Sequence, residues 1–258
     1  MNDAELAAAA DANYAETFQR LVPIALDAAA EERDGMVLVR MGVPISFFNV
    51  AYVSRPLADP GAAIEQAIAY FDAHSLPFHV RMREGVDEAA EQQALAHGLP
   101  LQMTQSGMCL APIPDAPAPP ADLRIEVVSD PESFGAYVET MAAGFGLPLD
   151  IARQVFPSGR WADVAGATWY LGYVDGEPAT TSALVLGPQG VAGVYNVATL
   201  DRFRRRGLGE AMTWRAIQDG KRAGARIATL QASDMGLPIY ERMGFRTVAP
   251  YRVYTRAS

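Results

Sequence analysis

The residues of this chain best suited to chemistry run from Thr199 through Leu200, Asp201, Arg202, Phe203, Arg204, Arg205, Arg206, Gly207, Leu208 and Gly209 to Glu210, a strand end passing through a basic turn into a helix. Gly207 and Gly209 let the backbone take conformations closed to other residues and come close to a ligand with no Cβ in the way. The amides of a helix's first turn lack intrahelical partners and stand at the positive end of the helix dipole, which makes them an anion site. Four arginines within five positions add guanidinium donors matched to phosphate oxygens, in a chain whose formal net charge is -9. A turn of this make-up suits a pyrophosphate. A solvated basic turn, or a phosphate contact to nucleic acid, would account for the arginines but not for the glycine spacing between strand and helix.

Elements must hold that turn in place. Hydrophobic periodicity predicts strands over 124–128, 169–174, 180–186 and 191–200, with helices over 134–143 and 151–156 between the first two. Asp175 and Gly176 mark a hairpin. Beyond the glycine turn come a helix over 208–223, a strand over 227–232, a short helix over 238–243 and a last strand near 252–255. Three antiparallel strands followed by a glycine-opened helix make a mixed α+β sheet rather than a regular βαβ array. The hairpins, and the absence of Gly-x-Gly-x-x-Gly, disfavour a dinucleotide fold. Upstream, the pattern predicts helices over 11–30, 64–71 and 88–97, the last stopped by Gly98, and strands over 36–40, 46–53 and 79–82. Between the halves, Pro112, Pro114, Pro117, Pro119 and Pro120 forbid helix and ladder and favour an extended connector. The expected division is a first domain at 1–111, a linker at 112–121 and a second domain at 122–258.

Arg204-x-x-Gly207-x-Gly209 is similar to the coenzyme A pyrophosphate signature of the GNAT N-acetyltransferase superfamily. Leu237 to Phe245 resembles that family's short helix, which ends in a Gly-Phe pair and carries a tyrosine near the thioester sulfur. Spacing and order agree across 122–258. The resemblance implies a GNAT fold, a mixed and mostly antiparallel sheet flanked by helices. It implies acetyl-CoA as co-substrate and direct transfer of an acetyl or short acyl group to an amine in a ternary complex. Arg204, Arg205, Arg206, Gly207, Leu208, Gly209 and Glu210 would form the pyrophosphate cradle. Asn196, Val197, Ala198 and Thr199 would splay from the neighbouring strand toward the pantetheine arm, with the Val197 amide polarising the thioester carbonyl. Asn196 and Tyr240 are the catalytic candidates, Tyr240 as the acid that protonates the departing thiolate. Without the resemblance, Tyr240 reads as an amphipathic core tyrosine. Ser233 stands where many relatives carry a pantetheine-touching asparagine, which puts that contact in doubt. Where some members place a glutamate base this chain has Gly193, and its second half has no histidine. Another carboxylate, a held water or a partly neutral amine remain open as the route for deprotonation. The acceptor is expected between Phe145, Gly146, Leu147, Pro148 and the strand face at Tyr195 and Asn196, with Trp161 and Trp169 as core. A non-catalytic acyl-CoA sensor or interaction module is the alternative.

The first half echoes the second. Phe48-Asn49-Val50-Ala51 and Tyr195-Asn196-Val197-Ala198 stand 147 residues apart, and His97-Gly98-Leu99 and Met243-Gly244-Phe245 stand 146 apart. Carried across, Arg204 becomes Leu57, Gly207 becomes Pro60, Gly209 becomes Ala62 and Tyr240 becomes Ala94. The first half thus reads as a degenerate, non-catalytic GNAT-like copy kept for packing, for shaping the acceptor cleft, or for a ligand of its own, with an unduplicated helical extension as the alternative. Composition agrees with a folded chain, half apolar and a fifth charged. The negative charge argues against nucleic acid and anionic membrane and tolerates cationic acceptors, whether a small-molecule amine, a protein N-terminus or a lysine. No apolar run approaches the ~20 residues of a membrane span. The single Cys109 reads as a reduced core residue of a cytoplasmic protein. His74, His79 and His97 offer no zinc spacing. Association is expected to stop at a monomer or homodimer.

Overall fold

The computed structural model describes residues 1–187 and 190–256. The first half comprises α1 (Asp3–Leu21), β1 (Ala29–Arg33), β2 (Met36–Arg40), β3 (Val50–Val53), α2 (Pro60–Ala73), β4 (His79–Arg83), α3 (Glu88–Ala96) and β5 (Leu101–Leu110). The second comprises β6 (Leu123–Val127), α4 (Pro131–Phe145), α5 (Leu149–Val155), β7 (Ala167–Val174), β8 (Glu177–Gly187), β9 (Val191–Thr199), α6 (Leu208–Arg222), β10 (Ile227–Ala232), α7 (Leu237–Arg242) and β11 (Arg246–Thr255).

Each half repeats one plan: a three-stranded meander, a helix, a strand parallel to the meander's third strand, a helix and a final strand. The parallel pairs are β3 with β4 (Val50 opposite His79) and β9 with β10 (Val191 opposite Ile227). The final strands are exchanged. β5 pairs with β10 of the second half, β11 pairs with β4 of the first, and β5 and β11 pair with each other, all antiparallel. The result is one sheet in the order β1-β2-β3-β4-β11-β5-β10-β9-β8-β7-β6. The sheet therefore does not divide where the proline segment divides the chain.

Strand alternation sorts the core into two faces. On one, Val37 and Val39 of β2 and Trp169 and Leu171 of β7 join Tyr14 and Phe18 of α1 and Phe134, Tyr137 and Met141 of α4. On the other, Met36 and Leu38 meet α2 and α3, while Tyr170 and Leu184 meet Met212 and Ile217 of α6. α1 crosses the first of these faces and touches β8, β9, β10, β5 and β11, so it belongs to both halves. The proline segment runs along the outside of α6 toward its N-terminus. Gln218 Nε2 donates to Pro114 O (2.8 Å), Lys221 pairs with Asp115 (2.8 Å), and Pro120 reaches Gly207.

Some elements differ from the sequence expectation. The first helix lies at Asp3–Leu21 rather than 11–30, because an Asn2/Glu5 capping box sets its start. Ala29–Arg33, its first two residues expected as the end of that helix, is strand instead. Asp34 and Gly35, with φ of 46° and 93°, turn it back onto β2. The 46–53 strand begins only at Val50. Before it the buried Asn49 side chain accepts from Met41 N and donates to Val43 O and Pro77 O (3.1, 2.8 and 2.8 Å), holding a helical turn at Ser46–Phe48. No helix among the described residues is long and apolar enough to cross a membrane.

Candidate functional site

β9 pairs with β8 as far as Thr199, but with β10 only from Val191 to Gly193. β10 meanwhile stays with β5 up to Ala232 opposite Ser106. The two parallel strands therefore part after Gly193 and Thr229 and leave a wedge whose facing backbone groups have no strand to pair with. The cause is a bulge. Thr181 lies opposite Ala198 and Ala183 opposite Tyr195, so β9 carries one residue more than β8 over this stretch, absorbed at Asn196 with φ of 52°. Buried threonines of β8 meet the carbonyls this displaces: Thr181 Oγ1 donates to Asn196 O and Thr180 Oγ1 to Ala198 O, both at 2.8 Å.

The wedge opens toward the first turn of α6. Gly207 takes the left-handed conformation (φ 74°), and no side chain caps the helix. Arg204, Arg205, Arg206 and Gly207 are exposed, so the turn is not plugged. A Cβ on Gly209 would stand 3.6 Å from both Thr199 Oγ1 and Val197 Cγ1, so its absence keeps the helix edge open to the end of β9. Leu208 is buried beneath, and Glu210 stands in the first turn. The end of the proline segment forms an outer wall, with Asp122 paired to Arg206.

Three of the four arginines are committed to the protein itself. Arg202 pairs with Glu177 (3.0 Å) and Arg206 with Asp122. Arg204 donates to Thr199 O (3.1 Å) and Gly144 O (3.0 Å) and pairs with Asp201 (2.9 Å). It ties the end of β9 to the end of α4, which approaches so closely that a Cβ on Gly144 would lie 2.9 Å from Ala198 Cβ. Among the described residues only Arg205 of the four has a guanidinium without a protein partner.

Tyr240 sits on α7 in edge contact with Phe245 (ring centroids 5.9 Å apart) and near Thr213 of α6. Thr213 is one turn on from Gly209, whose carbonyl it bonds (2.8 Å). Burial pushes the Tyr240 phenol above its ordinary value, with the Thr213 hydroxyl pulling the other way, so the phenol stays protonated at neutral pH. Ser233, exposed just past β10, accepts from Gly236 N (3.3 Å) and so closes the turn into α7. Phe145 is half-exposed at the end of α4, capped by the left-handed Gly146 (φ 67°). Trp169 is buried and donates to Trp161 O (3.2 Å), a core role as expected.

The residue missing from the sequence reading is Asn13. Buried on α1, it donates to Val185 O (3.2 Å) and accepts from the Tyr195 hydroxyl (2.7 Å). A Cβ on Gly193 would stand 2.0 Å from Asn13 Oδ1. The face of β9 at Gly193 is thus filled from the first half of the chain. The sequence signal was indirect: Gly187 and Gly193 in otherwise well-packed strands, both pressed by Asn13.

Residues 139–245 match the family described as the acetyltransferase (GNAT) family. No curated protein matches the sequence. Among solved structures, a GCN5-related N-acetyltransferase from Kribbella flavida shares 22% identity over 96% of each chain, with a TM-score of 0.73. One from Sphaerobacter thermophilus shares 16% over 88% of this chain and 81% of its own, with a TM-score of 0.63. A tandem GNAT protein from the clavulanic acid biosynthesis pathway shares 16% over 95% of each chain, with a TM-score of 0.61. At such identities the likeness speaks for the fold, and it extends over both halves. Residues 139–245 thus match the GNAT acetyltransferase family, within a chain that shares its fold over both halves with GNAT proteins, a tandem one among them.

Proposed function

We propose that this chain transfers an acetyl or similarly short acyl group from acyl-coenzyme A to an amine, directly and without a covalent enzyme intermediate. One observation carries the reading: the wedge between β9 and β10 opens onto the uncapped first turn of α6. An anionic pyrophosphate suits the free amides at Gly207, Leu208 and Gly209, with Arg205 as the uncommitted guanidinium beside them. The amide-bearing pantetheine arm suits the unpaired strand edges in the wedge, as an added strand would. Val197 follows the bulge, and its amide would polarise the thioester carbonyl. Tyr240, kept protonated by burial, would return a proton to the leaving thiolate. The acceptor would enter between the Phe145–Pro148 turn and Tyr195 with Asn196.

Deprotonation of the amine finds no carboxylate on this face of β9, because Gly193 has no side chain and Asn13 fills its place. The proton then leaves to water, or the amine arrives neutral. The filled base position also favours a second reading, an acyl-CoA-binding sensor without turnover. Calorimetric titration with acetyl-CoA, followed by thiol release across an amine panel, tests both. Binding with amine-dependent thiol release is the expected result. Binding without release on any amine moves the reading to the sensor, and no binding removes both.

A further inference from the structure

A second cavity, of about 530 Å³, lies in the first half at the carboxyl ends of β3 and β4, between α1 and the start of α3. Ligands favour such strand ends in open sheets with parallel pairs. In its wall stands Arg81 of β4, 4% exposed, its guanidinium clamped between the rings of Tyr14 (3.8 Å) and Tyr251 (3.4 Å). The clamp is built: Tyr251 fits only because Gly107, diagonal to it on β5, has no side chain, a Cβ there meeting the ring at 2.3 Å. Arg81 Nε and Nη2 are sealed from water with no acceptor. No carboxylate among the described residues comes within ion-pair distance of this guanidinium. The other arginines lining the cavity are already matched, Arg83 by Asp11 (3.1 Å) and Arg55 by Glu32 (3.0 Å). Burying an unpaired cation is costly, and stacked rings offset only part of that cost.

We propose that this cavity binds a small monocarboxylate with an apolar body, its carboxylate on Arg81. The stacked rings fix the guanidinium plane, so an acceptor can meet it only in that plane, and a planar carboxylate that pairs with the sealed Nε and Nη2 donors must displace the wall that covers them. Alanine and valine side chains, among them Ala8, Ala12, Val53 and Val86, give the cavity apolar walls for the rest of the molecule. A second anionic group would face Asp11 and Asp87, which also line it. The site is separate from the coenzyme cleft and needs nothing from it.

The test titrates the full chain, free of coenzyme, with 3-phenylpropionate and with its uncharged amide, following the Arg81 Nε–H resonance and the heat of binding. The acid is expected to shift that resonance and bind at about millimolar Kd or tighter, and the amide at least tenfold more weakly. Arg81→Met should abolish acid binding. Ala89→Phe, an exposed α3 position lining the cavity, keeps Arg81 and should weaken binding about tenfold through lost space alone, so the test survives a poorly folding Arg81 variant. The proposal is overturned if the acid leaves the Arg81 resonance unmoved at about 10 mM, if acid and amide bind alike, or if acetyl-CoA displaces the acid.

Discussion

The first turns of α2 and α6 occupy corresponding places in the two halves, each between the third meander strand and its parallel partner, yet one is closed and the other open. At α2, Asp59 is the N-cap and accepts from Ala62 N (3.0 Å), and Pro60 fills the first helical position with no amide to offer. At α6, a left-handed Gly207 precedes the helix and nothing caps it. The strands differ in the same sense. β3 is four residues long and paired with β4 from Val50 to Tyr52, whereas β9 is bulged and leaves β10 after Gly193. An anion cradle is thus not a property of the fold. A few cap residues and one inserted strand residue separate a helix that can take phosphate from one that satisfies itself.

The sharpest way to break this comparison is to close the open turn. In Gly209→Val, the added methyl groups extend from a Cβ already 3.6 Å from Thr199 Oγ1 and Val197 Cγ1 and fill the gap between helix and strand. Coenzyme affinity should fall about 100-fold or more, near 3 kcal/mol, while Gly209→Ala stays within a few-fold because its contacts are ordinary ones. Calorimetry on both variants, alongside their Tm, checks this. A valine variant that binds as tightly as the parent would mean that the cradle is elsewhere.

Tyr240 sharpens the comparison at the second landmark, where the first half has Ala94. Tyr240→Phe keeps the contact with Phe245 and removes only the hydroxyl, so turnover should fall about 10²-fold with coenzyme Kd unchanged. Equal losses in turnover and affinity would assign the hydroxyl to binding instead of proton transfer.

What could be read in advance follows from how local each signal is. The open turn was legible because Gly207 and Gly209 lie within one turn and act through backbone geometry. The second half's strands were legible from alternation and from the Asp175-Gly176 hairpin, both of whose residues take positive φ. The same signal at Asp34-Gly35 went unread, since Ala29–Arg33 is a polar edge strand with no alternation and little burial. β5 was not expected at all. Its first four residues are exposed and only its last four are buried, and its partners β10 and β11 lie more than a hundred residues away in sequence. The strand exchange, like the reach of Asn13 to Gly193, is a long-range fact with no local pattern. The phosphate role read into the arginine run overlooked that carbonyls at Thr199 and Gly144 and carboxylates at Glu177 and Asp122 claim three of the four.

Asn13 tests whether the first half shapes the second. Asn13→Ala leaves Val185 O and the buried Tyr195 hydroxyl without their partner and opens space above Gly193. Stability should drop by about 1–3 kcal/mol, read by denaturant unfolding. Coenzyme affinity should hold, since Asn13 lies on the other face of β9 from Gly209. A variant that loses coenzyme binding while keeping its stability would show that α1 acts on the cleft and not on the packing.

The smallest effect is expected where the comparison is most exposed, at the closed turn. Asp59→Ala removes the α2 cap and should cost about 1 kcal/mol, the usual penalty for a lost N-cap. It frees the Ala62 amide, but Pro60 still has none to offer, and β3 pairs with β4 over three of its four residues and has no bulge to part it from its partner. Calorimetric stoichiometry should therefore remain one coenzyme per chain in the parent and in the variant. A second equivalent bound by Asp59→Ala would mean that the cap alone held the first half closed. A second equivalent in the parent would mean that an αL glycine and a bulge are not what a coenzyme needs from this fold.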